Sequence, residues 1–171
     1  LVSYQLWSTD EERAAVTLDR TVGFVDLVGS TAVLRELSVR ETAAMVDEFE
    51  QRTWDLVTAG GGRLVKLIGD EAMFVFADPG DACRVAAELL EGAPHPVRVG
   101  LAHGPVVALH GDYYGPTVNL AARLVAVAAA SSVLVSESVR EATTASFSFE
   151  PTDVGPLRGF AEPVAAYLLT S

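Results

Sequence analysis

At 171 residues, half of them hydrophobic and a fifth charged, the chain is long enough for one domain with a sizeable core, and intrinsic disorder is excluded. Twelve Lys and Arg against 23 Asp and Glu give a formal net charge of −11, a surface that repels phosphate backbones and argues against nucleic-acid binding. The single cysteine, Cys83, excludes a disulfide framework and a cysteine-based zinc site. It reads as a small buried apolar residue, compatible with a reducing cytosol. No uninterrupted apolar stretch reaches about 18 residues. The longest candidate, Leu120 to Val135, carries Arg123 and a Ser131-Ser132 pair, so no membrane contact and no signal peptide are expected. The expected location is cytoplasmic, either alone or as the cytosolic part of a larger protein, since the chain begins at Leu1 rather than Met.

Residues 1–20 read as a lead segment, with Thr9 to Glu12 as a capping box opening a brief helix that ends before Asp19. The domain proper spans 21–171. Residues 21–27 form an apolar run bounded by Gly29, expected to be a buried strand. Ser38 to Glu41 is a second capping box, opening a helix that stops in the glycines at 60–62. "RLVKLI" and "EAMFVFA", joined by Gly69-Asp70, predict a hairpin. Asp78-Pro79-Gly80 then turns into a helix over 81–91. Strands at 94–104 and 106–109, a helix at 116–129, a strand at 133–135 and a helix at 136–144 follow. Two short strands near 146–150 and 164–169 complete the chain. The pattern is α+β: a ferredoxin-like βαββαβ core with added C-terminal strands and helices, the helices expected on one face.

In a βαββαβ sheet of order 4-1-3-2, the end of the first strand meets the start of the third. Those two places hold Asp26 and Asp70. Two carboxylates at one sheet edge repel unless a cation lies between them, and hard oxygen ligands suit Mg²⁺. The plainer alternative makes Asp26 a helix cap and Asp70 a hairpin-turn residue. After Asp26, Gly29-Ser30-Thr31 offers backbone N–H groups to an anion, or a simple N-cap. Downstream, Asn119 and Arg123 share one face of an alanine-rich helix. An Arg there needs a salt-bridge partner or a bound anion.

"FVDLVGST", "VKLIGDEAMFVF", "GLAHGPVVAL" and "GDYYGPTVNLAARL" together resemble the catalytic domain of the class III nucleotide cyclases, the adenylyl and guanylyl cyclase family. The resemblance runs from about residue 21 to 169, with the motifs in the family's order and spacing.

The resemblance implies that Asp26 and Asp70 bind two divalent ions, Mg²⁺ or Mn²⁺, assisted by the Leu27 carbonyl. It implies that Gly29, Ser30 and Thr31 hold phosphates, that Asn119 orients the ribose, and that Arg123 stabilises the transition state. Lys66 and Asp112 match the purine-selecting pair. A donor-only Lys and an acceptor-only Asp complement adenine, so the expected substrate is ATP and the product 3′,5′-cyclic AMP with pyrophosphate. Family sites lie between two chains, and this chain carries both halves, so a homodimer is expected. Guanylyl cyclisation is a second reading, disfavoured by Lys66 and Asp112. A catalytically weak nucleotide-sensing dimerisation module is the reading from another class. Two basic residues expected for the triphosphate are missing: Pro105 stands at one place and "LRGFAEP" at the other, with Arg158 nearby.

Overall fold

The computed structural model describes residues 15–29, 32 and 35–171. Among the described residues the order is β1 (Val16–Leu27), α1 (Val39–Ala59), β2 (Arg63–Ile68), β3 (Glu71–Phe76), α2 (Pro79–Leu90) and β4 (Val97–Leu109). Then come β5 (Asp112–Tyr114), α3 (Pro116–Val127), β6 (Val133–Ser136), α4 (Glu137–Thr143), β7 (Phe149–Thr152) and β8 (Ala166–Leu169). One mixed sheet runs β2-β3-β1-β4-β6-β8-β7, with β5 folded back on β4. Its first four strands have the expected 4-1-3-2 order, and β6, β8 and β7 are the C-terminal addition.

Local chemistry sets the element ends. Ser38 and Glu41 close the expected capping box: Glu41 Oε2 accepts from the Ser38 amide at 2.8 Å and Ser38 Oγ from the Glu41 amide at 3.3 Å. Asp78 caps α2 ahead of Pro79, and Ser136 caps α4. Gly115 precedes α3, with Pro116 in its first turn.

Three expectations are corrected. First, the strand expected at 21–27 begins at Val16, so residues 16–20 belong to the sheet. Val16 to Arg20 pair with Ala108 to Gly104, and Leu18 packs against the core. The Thr9–Glu12 capping box lies outside the described residues. Second, the strand expected at 94–104, with 106–109 as its continuation, starts at Val97 and runs unbroken as the 13-residue β4. His110 and Gly111, with φ of 52° and 75°, then form a two-residue turn that returns the chain as β5.

Third, helices cover both faces. Odd-numbered Val25 and Leu27 of β1 pack with Met45, Phe49, Val85 and Val139 under α1, α2 and α4. Even-numbered Val22 and Phe24 pack with Ala121 and Val125 of α3 on the other face. The strand is apolar on both sides, so each side needs a cover. Gly100 lets α3 approach closely: a Cβ built there would lie 2.4 Å from the Val125 nitrogen.

Candidate active site

Asp26 is the penultimate residue of β1. Its register partners are Glu71 on β3 and Arg98 on β4, so three charged residues form one row across three strands. This row continues the β1 face that α3 covers. The Leu27 amide donates to the Asp70 carbonyl at 3.1 Å, fastening the end of β1 to the β2–β3 turn. The two aspartates expected to share one edge are therefore brought together.

Arg98 meets Asp26 directly. Nε and Nη2 both donate to Asp26 Oδ2, at 3.0 and 2.7 Å, and Nη1 donates to the Ala126 carbonyl near the end of α3 at 3.0 Å. The Asp26 side chain is 14% exposed and that of Arg98 29%. Burial pushes the Asp26 carboxyl above its usual range; Arg98 pulls it back and the Asp70 charge pushes it up again. Glu71 is also raised, by burial and then by the charges of Asp26 and Asp70. The sequence reading missed both Arg98 and Glu71. The signal for Arg98 was available: it is a lone charge inside an apolar strand paired with the strand that carries Asp26.

The donor set fits hard divalent cations, since carboxylates crowd one edge with one guanidinium to offset them. Among the described residues no group of three or more His, Cys, Asp or Glu side chains is placed to hold a metal alone. Ions bound by Asp26 and Asp70 therefore need further oxygens, such as the Leu27 carbonyl or substrate phosphates. Beyond β1, Gly29 is exposed with φ of 68°, and its carbonyl accepts from the Ala32 amide at 3.0 Å. Ser30 and Thr31 lie outside the described residues.

Lys66 and Asp112 are distant in sequence but meet in space. Lys66 Nζ lies 2.7 Å from Asp112 Oδ2, and Asp112 Oδ1 accepts from the Tyr113 amide at 2.8 Å. Arg63 Nη2 reaches the Gly111 carbonyl at 3.1 Å, a second tie between β2 and the β4–β5 turn. Tyr113 packs with Val22, Phe24 and Met73, so the β4–β5 arm curls over the face that α3 also covers. Burial alone would raise the Asp112 carboxyl, but the Lys66 and Tyr113 hydrogen bonds and the Lys66 charge outweigh it and hold it below its usual range.

Asn119 and Arg123 lie one turn apart on α3 and line a cleft with Pro116, Arg158, Gly159 and Phe160. Arg123 Nε donates to the Arg158 carbonyl at 3.1 Å. Among the described residues Arg123 forms no ion pair. Among the described residues, then, the partner of the Arg123 side chain is a backbone carbonyl rather than a carboxylate. Arg158 borders the same cleft. Cys83 is buried as expected, its thiol pushed up to about 12 by burial, and plays no part here.

A family model, the adenylate and guanylate cyclase catalytic domain, matches residues 14–171. The chain belongs to the class III nucleotide cyclase catalytic domain family. An uncharacterised protein of Mycobacterium tuberculosis is 41% identical over 155 residues, covering 86% of this chain and 40% of that protein. An adenylate cyclase of Streptomyces coelicolor is 43% identical over 125 residues, covering 70% of this chain and 33% of that protein. The cyclase domain thus spans two fifths or less of the length of these relatives. Among solved structures, the catalytic core of a rhodopsin-guanylyl cyclase with converted specificity, in complex with ATPαS, matches with a TM-score of 0.83. That match covers 92% of this chain and 98% of the other at 23% identity, a likeness of fold. No helix among the described residues of the cyclase domain is long and apolar enough to cross a membrane.

Proposed function

We propose that this cyclase domain converts ATP to 3′,5′-cyclic AMP and pyrophosphate, at sites shared between two copies of the chain. The observation that carries the adenylyl reading is the Lys66–Asp112 pair. Adenine presents an acceptor at N1 and a donor at N6. Lys66 has three donors and spends one on Asp112, while each Asp112 oxygen keeps acceptor capacity. The pair therefore reads adenine without breaking. Guanine reverses both polarities and leaves like facing like.

Asp26 and Asp70, with the Leu27 carbonyl, are the groups to hold two divalent ions, Mg²⁺ or Mn²⁺. Bound ions would supply Lewis acidity toward the ribose 3′-hydroxyl and neutralise charge on the leaving pyrophosphate. Gly29, with Ser30 and Thr31, is the proposed backbone contact to phosphate. Asn119 orients the ribose by hydrogen bonding, which sets the line of attack on the α-phosphorus. Arg123 presents a planar donor fork to oxygens whose negative charge grows in the transition state.

The position of α3 supports a site shared between chains. Arg98 ties Asp26 to Ala126, whereas Asn119 lies seven residues earlier, roughly 10 Å along the helix. That is far for groups acting on one ribose, and a second copy supplies the nearer set. ATP as substrate and a lone unpaired thiol suit a cytoplasmic setting.

The deciding experiment incubates purified protein with ATP and Mn²⁺ and detects cyclic AMP, with GTP in parallel. Cyclic AMP as the dominant product supports the reading. Preferential cyclic GMP supports a guanylyl enzyme, and tight nucleotide binding without either product supports a sensing module.

A further inference from the structure

The guanidinium of Arg98 stands where a cation would serve Asp26. Two of its N–H groups converge on one carboxylate oxygen, and the third contact is to a helix carbonyl that keeps it in place. A fork fixed at both ends loses little further freedom in holding Asp26. The pair is largely shielded from solvent, so bulk salt screens it weakly. Both contacts load Asp26 Oδ2, and the row Glu71–Asp26–Arg98 supplies this one cation beside two carboxylates.

We propose that Arg98 is an internal competitor for the metal site: it occupies Asp26 in the nucleotide-free protein, and a divalent ion binds there only by displacing it. The idea rests on the reading of Asp26 as a metal ligand. A guanidinium moved off a shielded carboxylate needs another anion, and a triphosphate arriving with the ion supplies one. Ion and nucleotide then enter together, and neither fills the site well alone. Arg98 is a positioning residue in this scheme, acting through Asp26.

The test measures Mn²⁺ binding to nucleotide-free protein by calorimetry, for wild type, Arg98→Gln, Arg98→Lys and Asp26→Asn. Competition predicts that Arg98→Gln binds Mn²⁺ about fivefold or more tightly than wild type, since removing a coupled competitor typically shifts affinity by that order. Arg98→Lys, a cation without the fork, falls between them. Asp26→Asn loses the site. A merely structural Arg98 would not raise metal affinity when removed. Binding that depends on Asp26 but is equal or weaker in Arg98→Gln overturns the competition and leaves the metal assignment standing. Binding indifferent to Asp26→Asn overturns the metal assignment and the competition with it, and binding absent from Arg98→Gln as from wild type overturns the competition. A second measurement needs no variant. The Arg98 Nε–H signal in ¹⁵N NMR spectra should shift and lose protection as Mg²⁺ and a non-cyclisable ATP analogue are added together to wild-type protein, and a signal unmoved at saturation with both overturns the proposal.

Discussion

Lys66 Nζ and Asp112 Oδ2 lie 2.7 Å apart and join the β2–β3 hairpin to the β4–β5 hairpin of the same chain. In the proposed function, base choice rests on this one ion pair, whose halves lie on separate hairpins. With equal ATP and GTP in Mg²⁺, the wild-type protein should favour ATP. Each mismatched polar group costs about 1–3 kcal/mol when buried. Lys66 is 41% exposed, and water offsets part of that cost, so the expected preference is at least about tenfold in kcat/KM. Lys66→Glu combined with Asp112→Ala should lower ATP turnover. Equal rates of cyclisation for ATP and GTP by the wild type would remove the base-reading role.

The same pair has a pH signature. The Asp112 carboxyl is held below its usual range, so its contribution to stability is complete above the ordinary carboxylate pKa and fades as pH falls through the lowered value. Because the pair is partly exposed, the contribution is at most about 1 kcal/mol. Urea melts of wild type and Lys66→Met should differ by up to that amount at pH 7 and converge as pH falls below the lowered value. A difference that persists in acid would show that Lys66 stabilises through its aliphatic stem instead.

Asp26→Ala and Asp70→Ala should each abolish turnover with Mn²⁺. Repulsion between the two carboxylates suggests that Asp26→Ala also stabilises the protein, but the Arg98 contact points the other way. Losing the carboxylate strands a shielded guanidinium and costs about 1–3 kcal/mol. Asp26→Asn, which keeps an acceptor, should cost less. Chemical denaturation ranks the three proteins, and an Asp26→Ala variant as stable as wild type contradicts the contribution assigned to Arg98.

If each site draws on two chains, inactive variants complement one another. Asp26→Asn and Asn119→Ala should each be inactive alone. After subunit exchange, an equal mixture should recover up to about a quarter of wild-type activity, because half the dimers are mixed and each carries one intact site. No recovery, with exchange demonstrated, would place each site within one chain.

Gly100→Ala tests the seat of α3. The added Cβ would meet backbone, 2.4 Å from the Val125 nitrogen and 2.7 Å from the Ala121 carbonyl oxygen, which no side-chain rotation relieves. The helix must move off β4, at a cost of about 1–3 kcal/mol, carrying Asn119 and Arg123 with it. Lower melting temperature together with a fall in kcat is the expected result. Full activity and stability would mean that α3 tolerates displacement.

Much of this was legible because the signals were local. Two apolar runs around Gly69-Asp70 could only be a hairpin, and the Ser38–Glu41 box marked the start of α1 to the residue. The meeting of Asp26 with Asp70 followed from strand order, and that of Lys66 with Asp112 from the family likeness. The rest depended on contacts between distant residues. Arg98 looks like an ordinary charge in a strand until β4 is set beside β1 in register. The composition of α3 is apolar on most sides, so nothing local says which face of the sheet it covers. β5 is three residues long, too short for alternation to show.

The contact between Asp26 and Arg98 spans 72 positions of the chain. Closing so long a loop costs entropy that no neighbouring contact repays in advance, whereas the β2–β3 hairpin closes over a two-residue turn. Asp70 and Lys66 therefore belong to a unit that can organise locally, while Asp26 takes its place only when β1 has zipped onto β3 and β4. Thermal or mutational loosening of those ladders dismantles the cluster from one side, while the hairpin that carries Asp70 can persist.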